Sequence, residues 1–154
     1  MKVPEYIFHK PDQVEAIVEG MQDFRTEREH SVQAMTEMMT AAVGFITQGK
    51  HMDYQAFYYE MGCTTLGVMG RSFAMEPFCE MIINKHHDYG CESLLRWKGI
   101  GIVNRIDSKI SRLTNLLKKG AKPQVKDESA GDTITDVLGY CVVGVFVERW
   151  LEIN

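Results

Sequence analysis

Cysteine is scarce in this chain and irregularly placed: Cys63, Cys79, Cys91 and Cys141 form no CxxC pair and no regular framework. That excludes a disulfide-stapled scaffold and a cysteine-built zinc site, and suits reduced thiols. There is no apolar run longer than 137–147, far short of the ~20 residues needed to cross a bilayer as a helix. The first residues, MKVPEYIFHKPDQ, lack the uninterrupted apolar stretch of a signal peptide, because Pro4 and charged residues break it. The expectation is a protein of the cytoplasm with no membrane association. Walker, GxGxxG, HExxH and GxSxG motifs are all missing. Apolar–polar alternation long enough to build a sheet is missing too, except within the first few residues. A net charge of −4 gives no reason for general affinity for nucleic acid.

What is present is helical periodicity. A chain of 154 residues fits a single domain with a real core. Residues 1–11, bracketed by Pro4 and Pro11, read as an extended or irregular segment. Asp12 can cap a helix whose apolar stripe is Val14, Ile17, Val18 and Met21. A longer helix is expected over 25–48, with Val32, Met35, Met39, Val43 and Ile46 on one side and Gly49 as its stop; RTEREH reads as a solvated tract. A third starts near Met52 and frays into Gly62, Gly67 and Gly70. A fourth begins near Pro77 and stops at Gly90. The most regular stretch is 100–117, where Val103, Ile106, Ile110, Leu113 and Leu117 repeat at three and four and Gly120 ends the helix. A polar loop at 121–128 then turns the chain antiparallel. The expected architecture is an all-α bundle of about five helices. Methionines at Met35, Met38, Met39 and Met75 suggest more apolar surface than one small chain can hide. A homo-oligomer is therefore expected, at least a dimer, with 31–47 as a contact.

Charge is unevenly placed. Residues 93–126 carry nine Lys/Arg and one acid, Asp107, whereas residues 127–154 carry six acids and one base, Arg149. On the last helix Asp132, Asp136, Gly139, Tyr140, Val143, Phe146, Val147 and Trp150 share one stripe, with Glu128 a turn further back. Its lower part should face a core, and a buried carboxylate is normally paired, protonated or bound to metal. Asp132 and Asp136 are thus either ligands or a helix start capped by Asp127 or Ser129. Glu76, Glu80, Asn84 and His87 form a polar stripe that either ligates a metal or faces water. Asp88 and Tyr89 follow at a helix end, where an aspartate opposes the dipole. Arg105, Lys109 and Arg112 form a basic row that either holds phosphates or pairs with the acids of the last helix. Oxygen ligands without thiolates favour magnesium or manganese over zinc.

Three blocks, KHHDYG (85–90), RIDSKISRLTNLL (105–117) and ESAGDTITDVLGY (128–140), together resemble a small family found mainly in bacteriophages, the nucleotide-modification-associated domain. That family is in turn compared with the all-α nucleoside-triphosphate pyrophosphatases of MazG type. The resemblance covers about residues 80–147 and points to Asp88 and Tyr89, to Arg105, Lys109 and Arg112, and to Asp132 and Asp136. MazG-type enzymes carry EExxE on one helix and ExxD on a later one. Here Glu76 and Glu80 are more loosely spaced, and Asp132–x3–Asp136 is not ExxD.

The resemblance implies a MazG-like bundle whose residues 75–152 bind nucleotide and metal, in the host cytoplasm if the chain is phage-encoded. The leading expectation is a magnesium-dependent (deoxy)nucleoside triphosphate pyrophosphohydrolase. Asp132 and Asp136 would hold the metal, with Glu80, Asp88 or His87 completing its coordination. Arg105, Lys109 and Arg112 would neutralise phosphate charge, and Tyr89, Trp97 or Tyr140 would stack on the base. Two alternatives stand beside it. One is a non-catalytic nucleotide-binding or sequestering protein, or an accessory subunit of a nucleotide-modification pathway. The other is a structural protein in which the acidic and basic helices simply pair.

Overall fold

A computed structural model describes residues 2–119 and 129–154. Among them there are six α-helices and no strand: α1 (Pro11–Asp23), α2 (Val32–Thr47), α3 (Tyr54–Met69), α4 (Met75–Tyr89), α5 (Glu92–Lys119) and α6 (Ala130–Ile153). The all-α bundle is as expected, with one helix more. Gly120, the 121–128 loop, Asp127 and Glu128 lie outside the described residues.

Local chemistry accounts for most helix ends. Pro11 occupies the first position of α1, where its missing N–H costs nothing. Asp12 is therefore inside the helix rather than its cap. The cap is supplied by Gln13, whose Oε1 accepts from the amides of His9 and Lys10 at 2.8 and 2.9 Å. The Ser31 and Asp53 side chains accept from the amides of Ala34 and Ala56, which starts α2 and α3. Gly49, Gly70 and Gly90 end α2, α3 and α4 with φ of +68°, +53° and +70°, a region open to glycine at no steric cost.

Two boundaries differ from expectation. The 25–31 tract stays outside α2, because Ser31 caps the helix there and Arg28 is drawn away to Glu60, 2.8 Å from its Nε. Helix α3 does not fray at Gly62 and Gly67 but runs through both. These glycines admit neighbours: a Cβ at Gly62 would lie 2.4 Å from the Met21 sulfur, and one at Gly67 would meet the His30 ring.

Helix α6 is the axis of the bundle, packed chiefly on α5 and α3 and also touching α1. Its middle is buried nearly all round: Val137, Leu138, Cys141, Val142, Val145 and Val147 are inaccessible to solvent. By length and composition it is apolar enough to cross a bilayer, and burial at the centre of the bundle accounts for that composition. Tyr58 from α3 packs so closely that a Cβ on Gly144 would lie 2.6 Å from its ring. The α2 methionines, Met35, Met38 and Met39, are all in the core. They leave Val43 and Phe45 as the large apolar side chains that α2 exposes.

Helix α5 is two helical segments joined at Lys98 (φ 57°, ψ −145°), and the longer one, after the break, starts where the 100–117 periodicity places it. This conformation suits glycine and costs an L-residue about 1–2 kcal/mol. Gly99 follows with the Tyr54 ring where its Cβ would be, so α3 packs into the break. Lys98→Gly should raise the unfolding free energy by about 1 kcal/mol, since relief of strain outweighs the entropy added to the unfolded chain. A denaturant melt in which the variant is no more stable than wild type would contradict this account of the break.

Candidate functional site: a cationic cleft between α4, α5 and α6

Asp136 sits one turn inside α6, beyond the reach of capping, with its carboxylate held between two lysines. Lys109 Nζ of α5 lies 3.0 Å from Oδ2, and Lys85 Nζ of α4 lies 3.2 Å from Oδ1. The α5–α6 register explains the first contact: Lys109 stands opposite Asp136, and one turn on, Arg105 and Tyr140 line the same cleft. That cleft encloses about 570 Å³. Its walls bring Lys85, Arg105, Lys109 and Asp136 together with Tyr89, Ser93 and Tyr140, over an apolar floor that includes Ile82, Leu94 and Val143. Arg105 donates from a terminal guanidinium nitrogen to Ser93 Oγ at 3.3 Å. Among the described lining residues three permanent cations face one carboxylate, so the cleft carries a net positive field even with Asp136 ionised.

Asp132 does two things. Its Oδ2 accepts from Ser129 N–H at 3.0 Å and from Ser129 Oγ–H at 2.6 Å, while Ser129 Oγ accepts from the Asp132 amide. This reciprocal cap is the helix-start reading of the sequence. These hydrogen bonds, with a smaller effect of Lys85, hold the Asp132 carboxyl below the usual aspartate range. Asp132 and Asp136 also share a smaller recess of about 240 Å³ beside the cleft, with Lys85, Lys109 and Thr133.

The other residues singled out from the sequence are dispersed. Glu76, Glu80, Asn84 and His87 point to solvent along α4, and Asp88 is exposed at its end. His87 stacks on Tyr6 with ring centroids 4.4 Å apart. Arg112 is half-buried on α5. Trp97 lines a neighbouring groove rather than the cleft. Among the described residues no three His, Cys, Asp or Glu side chains converge as a metal-binding group. The two carboxylates that do approach each other are engaged, one by its cap and one by two ammonium groups. This donor set suits an anion better than a divalent cation.

Sequence reasoning missed three residues here. Lys85 lies in the KHHDYG block, whose resemblance points only to Asp88 and Tyr89, and Ser93 carries no pattern. His86 was legible, because it continues the apolar spacing of Phe78, Cys79 and Ile82 on the buried side of α4. Its Nε2 accepts from the Ile7 amide at 3.1 Å, and its ring stacks on Phe8 at 4.0 Å. Burial, reinforced by the charges of His87 and His9, pushes its pKa down to about 4. With Cys91 Sγ donating to the Pro4 carbonyl at 2.9 Å, it ties the N-terminal segment to the floor of the bundle beside the cleft. No protein-family model, curated protein or solved structure matches this chain.

Proposed function

We propose that this protein binds a phosphorylated small molecule of the nucleotide class in the α4–α5–α6 cleft. The observation that carries this reading is the Lys85–Asp136–Lys109 arrangement. It is an anion site at hydrogen-bonding distance in which the protein's own carboxylate sits between two ammonium groups. Arg105 supplies a third cation and a planar fork suited to phosphate oxygens. Tyr89 and Tyr140 add aromatic faces, and a cleft of about 570 Å³ has the size of small-molecule sites. The likeness of residues 80–147 to the phage nucleotide-modification-associated domain supports the same ligand class, as does its distant likeness to MazG-type bundles.

Binding without turnover is the form the geometry favours, because among the described residues the acids a hydrolytic magnesium or manganese centre would use are dispersed or already engaged. The pyrophosphohydrolase reading has one observation on its side, the shared recess of Asp132 and Asp136. A thermal-shift and calorimetry panel of nucleoside mono-, di- and triphosphates, with magnesium or with chelator, separates the two. Expected are binding that survives chelation, recovery of intact nucleotide after long incubation, and at least a tenfold loss of affinity in Lys109→Ala. Product release that requires magnesium would instead support the hydrolase. No response to any phosphate compound would overturn both readings.

A further inference from the structure

A second groove of about 550 Å³ runs between the C-terminal half of α2 and the break in α5. Ser93, Leu94 and Arg105 line it and also line the cationic cleft, so the two depressions share a wall. Their chemistry differs. The groove is walled by Val43, Ile46, Trp97 and Ile100 together with Lys98 and Asp107, and Trp97 and Ile100 remain 63% and 56% exposed.

The backbone departs from helical geometry right beside Trp97. Lys98 takes a positive φ immediately after it. Gly101 lies so close beneath that a Cβ would come within 2.5 Å of the Trp97 Cβ. A strained residue and a glycine required by a close approach follow one exposed aromatic side chain, beside the cationic cleft. Strain of this kind gathers where a side chain must be aimed.

On the reading that the cleft holds phosphate, we infer that the ligand crosses Arg105 and lays a flat aromatic ring against Trp97 in this groove. The ligand class is then a polyphosphate bearing a nucleobase-sized aromatic group, rather than inorganic polyphosphate or an aliphatic phosphate ester. Lys85 and Lys109 hold the phosphate end. Arg105, held in the wall by one 3.3 Å hydrogen bond to Ser93, bridges the two halves.

The test is calorimetric titration of the full chain with inorganic tripolyphosphate and with a nucleoside triphosphate in the same buffer. The comparison runs through wild type, Trp97→Ala, Trp97→Phe and Lys109→Ala. Trp97 is mostly exposed, so its variants should fold. Wild type should bind the nucleotide at least tenfold more tightly than tripolyphosphate. Trp97→Ala should lose about tenfold for the nucleotide and nothing for tripolyphosphate, in keeping with the worth of base–aromatic stacking. Trp97→Phe should keep most of the nucleotide affinity, and Lys109→Ala should weaken both ligands. Wild-type nucleotide affinity in Trp97→Ala, with Lys109→Ala impaired, would overturn this inference and leave the cleft reading standing. Equal weakening of both ligands by Trp97→Ala would overturn it as well. Failure of wild type to bind either compound would mean that the cleft reading itself is wrong.

Discussion

Replacing Asp136 by asparagine is expected to tighten the binding of inorganic pyrophosphate or a nucleotide by about tenfold or more, not to abolish it. The carboxylate lies 3.0 and 3.2 Å from two ammonium nitrogens, so it competes with any anion that enters. Two unit charges about 4 Å apart interact by about 4 kcal/mol at an effective dielectric constant of 20. Solvent and salt reduce that figure, and a tenfold change in affinity needs only about 1.4 kcal/mol. The gain should shrink as salt is raised. The fold should suffer little, because Lys85 is 49% exposed and Lys109 and Asp136 each 25%. The pair with Lys85 is open enough to contribute about 1 kcal/mol or less, and the asparagine amide oxygen can still accept from the less exposed Lys109.

The metal-ligand expectation from the sequence has the opposite sign. If Asp136 holds magnesium, the asparagine variant loses metal-dependent binding and keeps or gains apo stability. One titration of wild type and Asp136→Asn, with and without magnesium, therefore separates counter-ion from ligand. Weaker anion binding by the variant in the presence of chelator would sink the counter-ion reading.

Acid should weaken the fold through His86. Its imidazole is buried, and its folded pKa is near 4 against an ordinary 6.5. Between those values the unfolded chain binds the proton and the folded one does not. Stability from this group therefore rises with pH across the window, is fully present above about 6.5, and is lost as pH falls toward 4. The size follows from the shift and is on the order of 3 kcal/mol.

The structural event is specific. A protonated imidazole cannot accept the Ile7 amide hydrogen bond, and a charged ring is disfavoured between Phe8 and the rest of the core. Phe8, fully buried and stacked on Phe146 at 4.3 Å, would be the next contact affected. Denaturant melts at pH 4.5 and 7 measure the loss, and exchange of the Ile7 amide reports it locally. His86→Phe keeps the stack but removes the titrating group, so its melts should differ much less between the two pH values. An unchanged pH difference in that variant would mean that another group is responsible.

How much of this was legible in the sequence depends on the range of the interaction concerned. The stripe of α1, the stops at Gly49 and Gly90, and Pro77 in the first turn of α4 follow from the neighbouring few residues, and all stand as read. The row Val103, Ile106, Ile110 and Leu113 is buried as read, whereas Leu117, the last member of that repeat, is exposed near the helix end. In these cases backbone sterics and a three-to-four spacing decide the outcome before any tertiary contact forms. The capping of α6 by Ser129 and Asp132 is equally local, although the same spacing in the sequence also fits metal ligation.

Tertiary structure decided the rest. Helix α6 is apolar on nearly every side, so its sequence could not say which face lines the cleft. Packing against α5 and α3 settled that, turning Asp136, Tyr140 and Val143 outward together. Asp136 and Lys85 are 51 residues apart, and no periodicity within one helix can announce such a pair. The break at Lys98 runs against the preference of its own residue, although Gly99 and Gly101 beside it and the start of the regular stretch at 100 mark its place. Tyr54 of α3 fills the space beside Gly99, a contact between residues 45 apart that no local pattern can announce. Helix ends belong to single turns of chain, whereas the cleft belongs to three helices at once. Its charges therefore became a site only after the core had set their distances.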